Sequence, residues 1–129
     1  MRLSKDTYVD AAENVIKSLR VEKRDGTYEI KMTTSKIRNI LSMVTELYND
    51  VIHTPGEELD DDIVQRIQYL RLRIAYEAGR EETVREFVKK TKILNYVKQI
   101  GNKKANFLLF VNYMEALVAY HRYYRGKDQ

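Results

Sequence analysis

Chain breakers are sparse in this sequence, and that limits its folds more than any other feature. In 129 residues there are five glycines, at 26, 56, 79, 101 and 126, and one proline, Pro55. A sandwich or barrel needs a turn signal about every ten residues. Here the breakers divide the chain into stretches of helix length, so long helices are expected and an all-β fold is not.

Apolar periodicity fills those stretches. Val9, Ala12, Val15, Ile16 and Leu19 recur at helical steps and predict a helix over 5–20. The polar stretch 21–32 follows, with Asp25-Gly26 as its turn; alternation is poor, which favours a loop over a short hairpin. Ile37, Ile40, Leu41, Val44, Leu47, Tyr48 and Val51 form the clearest stripe. Thr33, Thr34 and Ser35 offer hydroxyl caps before it, and Pro55-Gly56 stops the chain after it. A third helix opens at Asp60 or Asp61, buries Ile63, Ile67, Leu70 and Ile74, and takes Gly79 as C-cap. A fourth covers about 81–100 with Val84, Phe87 and Val88 inward, a possible bend near Thr91, and Gly101-Asn102 as its end. The last, over 103–125, sets Phe107, Phe110, Val111, Met114, Leu117, Val118 and His121 on one face. Leu108, Leu109, Tyr113, Ala116, Ala119 and Tyr120 cover much of the rest, as expected for the buried centre of a bundle. The tail RYYRGKDQ is expected to fray. The fold class is all-α: one domain, 1–129, built as a bundle of about five helices.

Composition excludes several kinds of chemistry. With no cysteine there are no disulfides, thiolate metal sites or cysteine nucleophiles. No apolar run approaches a membrane span, and the start MRLSKDTYVDAAENV lacks an apolar signal core, so the expected compartment is the cytoplasm. The glycines never cluster into a phosphate loop, and no serine sits in a nucleophile elbow. The run Glu57-Glu58-Leu59-Asp60-Asp61-Asp62 lacks the alternate spacing and closing Glu of a calcium loop, and helix capping accounts for it. His53 falls in a turn and His121 on a core face; neither has a second ligand at helical spacing. No catalytic residue, metal or cofactor is expected.

The charge pattern says more. Residues 45–65 hold seven acids and no Lys or Arg, whereas residues 80–129 hold eleven bases against five acids. On the third helix Arg66, Arg73 and Arg80 are spaced by sevens and drift only about 40° in all, with Tyr69 and Tyr76 beside them. Such a stripe can grip phosphates and stack unpaired bases; its arginine stems can equally cover an apolar border and pair with acids. Lys36 and Arg38 stand in the first turn of the second helix, where positive charge opposes the macrodipole and a phosphate would be welcome. Arg85, Lys89 and Lys92 form another face, and Lys98, Lys103 and Lys104 flank the Gly101 turn. Together these groups point to a polyanion-binding surface.

Three segments, taken in order, resemble a known family: Thr33-Thr34-Ser35-Lys36-Ile37-Arg38, Tyr69-Leu70-Arg71 through Tyr76-Glu77-Ala78-Gly79-Arg80, and Tyr113 through Tyr120. The sequence resembles the small subunit of the type III-A CRISPR effector complex, the Csm complex, from about Tyr8 to Gly126. The resemblance implies a non-catalytic helical bundle whose copies form an inner filament beside the backbone subunits. It implies contact with the backbones of CRISPR RNA and single-stranded target RNA without sequence preference, in a prokaryotic cytoplasm. Partners would be the backbone and large subunits and further copies of the chain. Carried over by motif, Lys36, Arg38, Arg71, Arg80 and Arg122 are the candidate RNA contacts. Helical phase adds Arg66 and Arg73, and Lys89 joins from the fourth helix. Glu77 and Glu115 are expected to orient arginines or join helices. The acidic 45–65 region and the basic C-terminal half would let copies meet head to tail. The alternative is a helical protein–protein adaptor that binds no RNA.

Overall fold

Residues 3–124 and 126 are described in the computed structural model of the chain. Among them are six helices and one small hairpin: α1 (Tyr8–Ser18), β1 (Arg20–Glu22), β2 (Tyr28–Ile30), α2 (Thr34–Val51), α3 (Asp61–Arg80), α4 (Glu82–Thr91), α5 (Ile93–Ile100) and α6 (Lys104–Tyr123).

The caps follow from the sequence. The Thr33 hydroxyl accepts the Lys36 N–H at 3.3 Å and opens α2. Asp60 accepts the Ile63 N–H at 2.9 Å and opens α3, with Asp61 and Asp62 in the first turn. Two of the acids in the 57–62 run are thus at the positive end of a helix, and Asp60 itself caps it. Glu57 and Glu58 lie in a tethered loop. Leu59 N–H donates to the Asn102 carbonyl at 2.8 Å and Lys104 N–H to the Glu57 carbonyl at 3.0 Å.

The apolar stripes meet in one core. All of Ile37, Ile40, Val44, Leu47 and Val51 on α2 and Ile63, Ile67, Leu70 and Ile74 on α3 are buried. Helix α6 packs against α1, α2 and α5, and α3 packs against α2, α4 and α5. Phe107, Met114 and Leu117 of α6 are fully enclosed, while Asn112, Glu115 and Ala119 leave it a narrow exposed strip. Val9 departs from its stripe: it is exposed in the first turn of α1, and burial begins at Ala12.

Three local expectations change. The segment 21–32 is a hairpin, not a loop: Arg20, Val21 and Glu22 pair antiparallel with Ile30, Glu29 and Tyr28. Its turn is built as Asp25-Gly26 suggested. Gly26 has φ 86°, and Asp25 accepts both the N–H and the hydroxyl of Thr27, which holds its carboxyl below the usual range. Gly79 does not cap α3. The helix runs on to Arg80, and extended Glu81 ends α3 and begins α4 in one residue, so no left-handed residue is needed. The fourth helix is not merely bent but divided at Lys92, whose φ of 62° and ψ of 25° break the ladder. The tyrosine hydroxyl of Tyr113 donates to the Thr91 carbonyl at 2.8 Å, satisfying that end of α4. The count is therefore six helices where about five were expected.

Candidate nucleic-acid interface

Helices α2 and α3 run antiparallel. Lys36, in the first turn of α2, pairs with Glu81 just past α3, and Arg66 Nη1 lies 2.7 Å from Asp50 Oδ2 near the opposite ends. One end of this pair is therefore basic, with Lys36, Arg38 and Arg80. The other is acidic, with Asp50, Asp60, Asp61 and Asp62.

A ladder of cations and rings runs along α3. Tyr69, Leu72 and Tyr76 are exposed to 58%, 63% and 61%, high for such side chains. Arg73 sits over the Tyr69 ring at 5.9 Å and Arg80 over the Tyr76 ring at 5.6 Å. Each cation–π contact is worth about 0.5–1 kcal/mol at an exposed site. It holds the guanidinium at the surface, where its remaining N–H groups can meet a phosphate. Glu77, partly buried, accepts from Arg80 at 3.4 Å and so orients an arginine as expected. Glu115 does not: it is exposed and has no partner among the described residues.

Helix α6 brings a further cation to the basic end. Its His121 is buried, and the imidazole Nε2–H donates to the Met32 carbonyl at 2.5 Å, just ahead of the α2 cap. That bond fastens the end of α6 to the entry of α2. Val118 lines a groove with Arg38 and Leu41, and Arg122 is one turn beyond Val118 on the same face. Arg122–Tyr124 are in place rather than frayed. Tyr124 O–H donates to Glu13 at 2.6 Å, and this bond pushes the phenol up to about 12. The rest of the tail, Arg125 and 127–129, lies outside the described residues.

The eight candidates therefore do not share one face. Lys36, Arg38, Arg80 and Arg122 gather at one end of the bundle, and Arg73 stands two turns along α3 from Arg80. Arg66 is beside Asp50, away from that end. Arg71 lies about 140–180° around α3 from the other three arginines and donates to Gln68 at 3.3 Å. Lys89 lines a separate groove with Arg85 and Lys92. The α2 N-terminus is also less open to an anion than its composition suggests, because Thr33 already caps the Lys36 N–H and Glu81 neutralises the Lys36 amine. His53 is an exposed turn residue.

One cluster was missed in the sequence. The Arg20 guanidinium lies between the Tyr28 ring at 4.8 Å and the Tyr124 ring at 5.3 Å. Tyr120, Tyr123 and Tyr124 pack on one another beside it. Their helical spacing shows the three tyrosines as neighbours, but only the hairpin's position brings Arg20 and Tyr28 to them.

Among the described residues, no three acids or histidines converge to hold a metal ion, and no helix is long and apolar enough to cross a membrane. The class is a predominantly helical bundle with cations and aromatic rings on its outer faces. Residues 9–127 match the profile of the Csm2 type III-A family. The chain is 36% identical over 129 residues, all of both chains, to the CRISPR system Cms protein Csm2 of Mycobacterium tuberculosis. It is 38% identical over 126 residues, 98% of each chain, to the protein of that name from Streptococcus thermophilus. With the Enterococcus italicus protein of that name it shares 38% over 125 residues, 92% of this chain and 89% of the other. The chain belongs to the Csm2 family, the small subunit of the type III-A CRISPR complex.

Proposed function

We propose that the chain works as a non-catalytic, RNA-contacting subunit of a prokaryotic cytoplasmic type III-A complex. Copies stack as an inner filament beside the backbone and large subunits. Their cations touch the backbones of guide and target RNA, so base pairing, not the protein, reads sequence. The observation that carries this reading is the gathering of Lys36, Arg38, Arg80 and Arg122 at one end of the bundle, continued by Arg73 and its tyrosines. The acidic far end of α2 and α3 gives a second copy an oppositely charged surface to meet head to tail. Such contacts can be weak singly and still hold when strung on one RNA.

Two measurements test it. A tag on this chain, co-expressed with the other subunits and a CRISPR array, should bring down backbone subunits and a discrete guide RNA. Arg73→Glu/Arg80→Glu should lower affinity for single-stranded RNA while leaving the fold intact. Each phosphate that is no longer neutralised should reduce the slope of log affinity against log salt by about 0.7. A folded double variant with unchanged RNA binding refutes this face. A tagged chain that comes away alone, without RNA, favours the adaptor reading, in which the ion pairs of Lys36, Arg66 and Arg80 merely dress the surface.

A further inference from the structure

Two helices carry seams that no other described residue covers. On α3, Tyr69, Leu72 and Tyr76 lie opposite the buried stripe and are exposed. Phosphates and bases account for arginines and rings but not for Leu72, which neither stacks nor donates a hydrogen bond. On α6, Asn112, Glu115 and Ala119 form the exposed strip. Both triplets step by four and three or three and four, the rhythm of a helix-packing seam. The α3 seam is bulky and the α6 seam is small. Beside them, Arg73 and Glu115 have no ion-pair partner among the described residues. The two seams point away from each other, because α3 and α6 both pack on α2 and α5 and bury their opposite sides in the shared core. The helices are also parallel. At one end Glu81 after α3 pairs with Lys36, and His121 of α6 is bonded to Met32, both at the start of α2. At the other, Lys104 of α6 donates to the Thr54 carbonyl in the loop that leads to Asp61 of α3. Each helix has 20 residues. Tyr69, Leu72 and Tyr76 therefore stand level with Asn112, Glu115 and Ala119.

We propose that the α3 seam of one copy docks on the α6 seam of a second copy, the two related by a sideways shift without rotation. Such a shift keeps the helices parallel and in register, so each ring meets a small side chain: Tyr69 lies against Asn112 and Tyr76 against Ala119 of the second copy. In parallel helices the Arg73 flank of α3 meets the Glu115 flank of α6. The Glu115 stem covers Leu72, and its carboxylate gains the arginine that its own chain does not supply. Two α3 seams docked antiparallel are disfavoured, because Arg66, Arg73 and Arg80 share one flank and would face their own kind. The contact is heterologous and does not close, so it repeats from copy to copy. This inference rests on the reading of the chain as a stacking subunit and names the residues that stack. The contact is lateral. It leaves both ends of the bundle uncovered and lines up the basic ends of successive copies along one side of the stack.

The chain has no cysteine, so disulfide trapping reads the contact directly. Tyr76→Cys and Ala119→Cys place thiols at exposed positions. Under mild oxidation, without RNA, a mixture of the two proteins should give a mixed disulfide dimer and neither protein alone should. A chain carrying both substitutions should give a ladder of oligomers. Leu72→Asp should melt like wild type yet weaken self-association in sedimentation by about tenfold or more. Glu115→Arg and Arg73→Glu should each weaken it, and the two together should restore it. Absence of the mixed dimer overturns the proposal, as does a Tyr76→Cys protein that links to itself as readily as to Ala119→Cys. Arg38→Glu lies at the basic end, outside both seams, and should leave association unchanged. If Arg38→Glu abolishes association while the seam variants do not, copies meet end to end and the lateral contact falls. A strict monomer at every concentration, with no mixed disulfide in the assembled complex, removes the stacking reading as well.

Discussion

Tyr113→Phe isolates the bond that satisfies the end of α4 at its break with α5. The Tyr113 hydroxyl reaches across from α6 to the Thr91 carbonyl at 2.8 Å, and Thr91 and Tyr113 are 1% and 2% exposed. No water can replace the donor there, so removal leaves a buried carbonyl unsatisfied, which costs about 1–3 kcal/mol. The ring stays, keeping its edge contact with Tyr96 at 5.2 Å, so no cavity contributes. An unfolding entropy of about 2.1 cal/mol/K per residue gives roughly 270 cal/mol/K for a chain of this length, so each kcal/mol is about 4 °C. The melting midpoint should therefore fall by about 4–11 °C, followed by circular dichroism. Amide exchange should quicken at the start of α5, where opening is local. Tyr96→Phe is the control, because its hydroxyl has no partner among the described residues; it should cost under about 0.5 kcal/mol. A Tyr113→Phe protein that melts with this control refutes the bond as the anchor of the break.

Leu117 is fully enclosed, so Leu117→Asp loses about 2–5 kcal/mol of packing and adds a buried carboxylate. Circular dichroism should show no cooperative melt at neutral pH. A Cβ on Gly126 would clash with the His121 imidazole, so in Gly126→Ala either the ring or the chain at 126 must shift; overpacking of this kind costs about 1–3 kcal/mol, read as a lower melting midpoint. Tyr124 titrates at about 12 in the folded chain, above its ordinary value of 10, chiefly because its O–H donates to Glu13. The folded state holds that proton more tightly. Its contribution is thus whole below pH 10 and lost as pH rises through 12. Tyr124→Phe should flatten the fall in stability across that window, and tyrosinate absorbance should lose one late-titrating phenol.

The helices themselves were legible in the sequence, because a stripe such as Ile37–Val51 repeats at the helical period and Thr33 and Asp60 are side chains that cap. The core residues of α2 and α3 followed for the same reason, but Val9 is exposed, and Ile30, Met32, Leu59, Tyr96, Val97 and Ile100 join the core without having been expected there. The family, too, was legible in three short segments. Short strands with mixed faces, such as Arg20–Glu22 and Tyr28–Ile30, leave no comparable trace, since three residues are too few to show alternation.

At the division by Lys92 the last carbonyl of α4 is bonded by a tyrosine in another helix, 22 residues away, and lysine has no local preference for the left-handed region. Which cations act together is decided the same way. Helical phase aligns Arg66, Arg73 and Arg80 on one flank, but only the antiparallel packing of α2 on α3 sets Lys36 beside Glu81 and Arg66 beside Asp50. Only the packing of α6 on α2, with His121 bonded to the Met32 carbonyl, sets Arg122 at the same end of the bundle as Arg38. Periodicity is a property of one segment at a time and is written in the order of residues. The gathering of charge on a face is a property of packed segments, and the tertiary structure alone determines it.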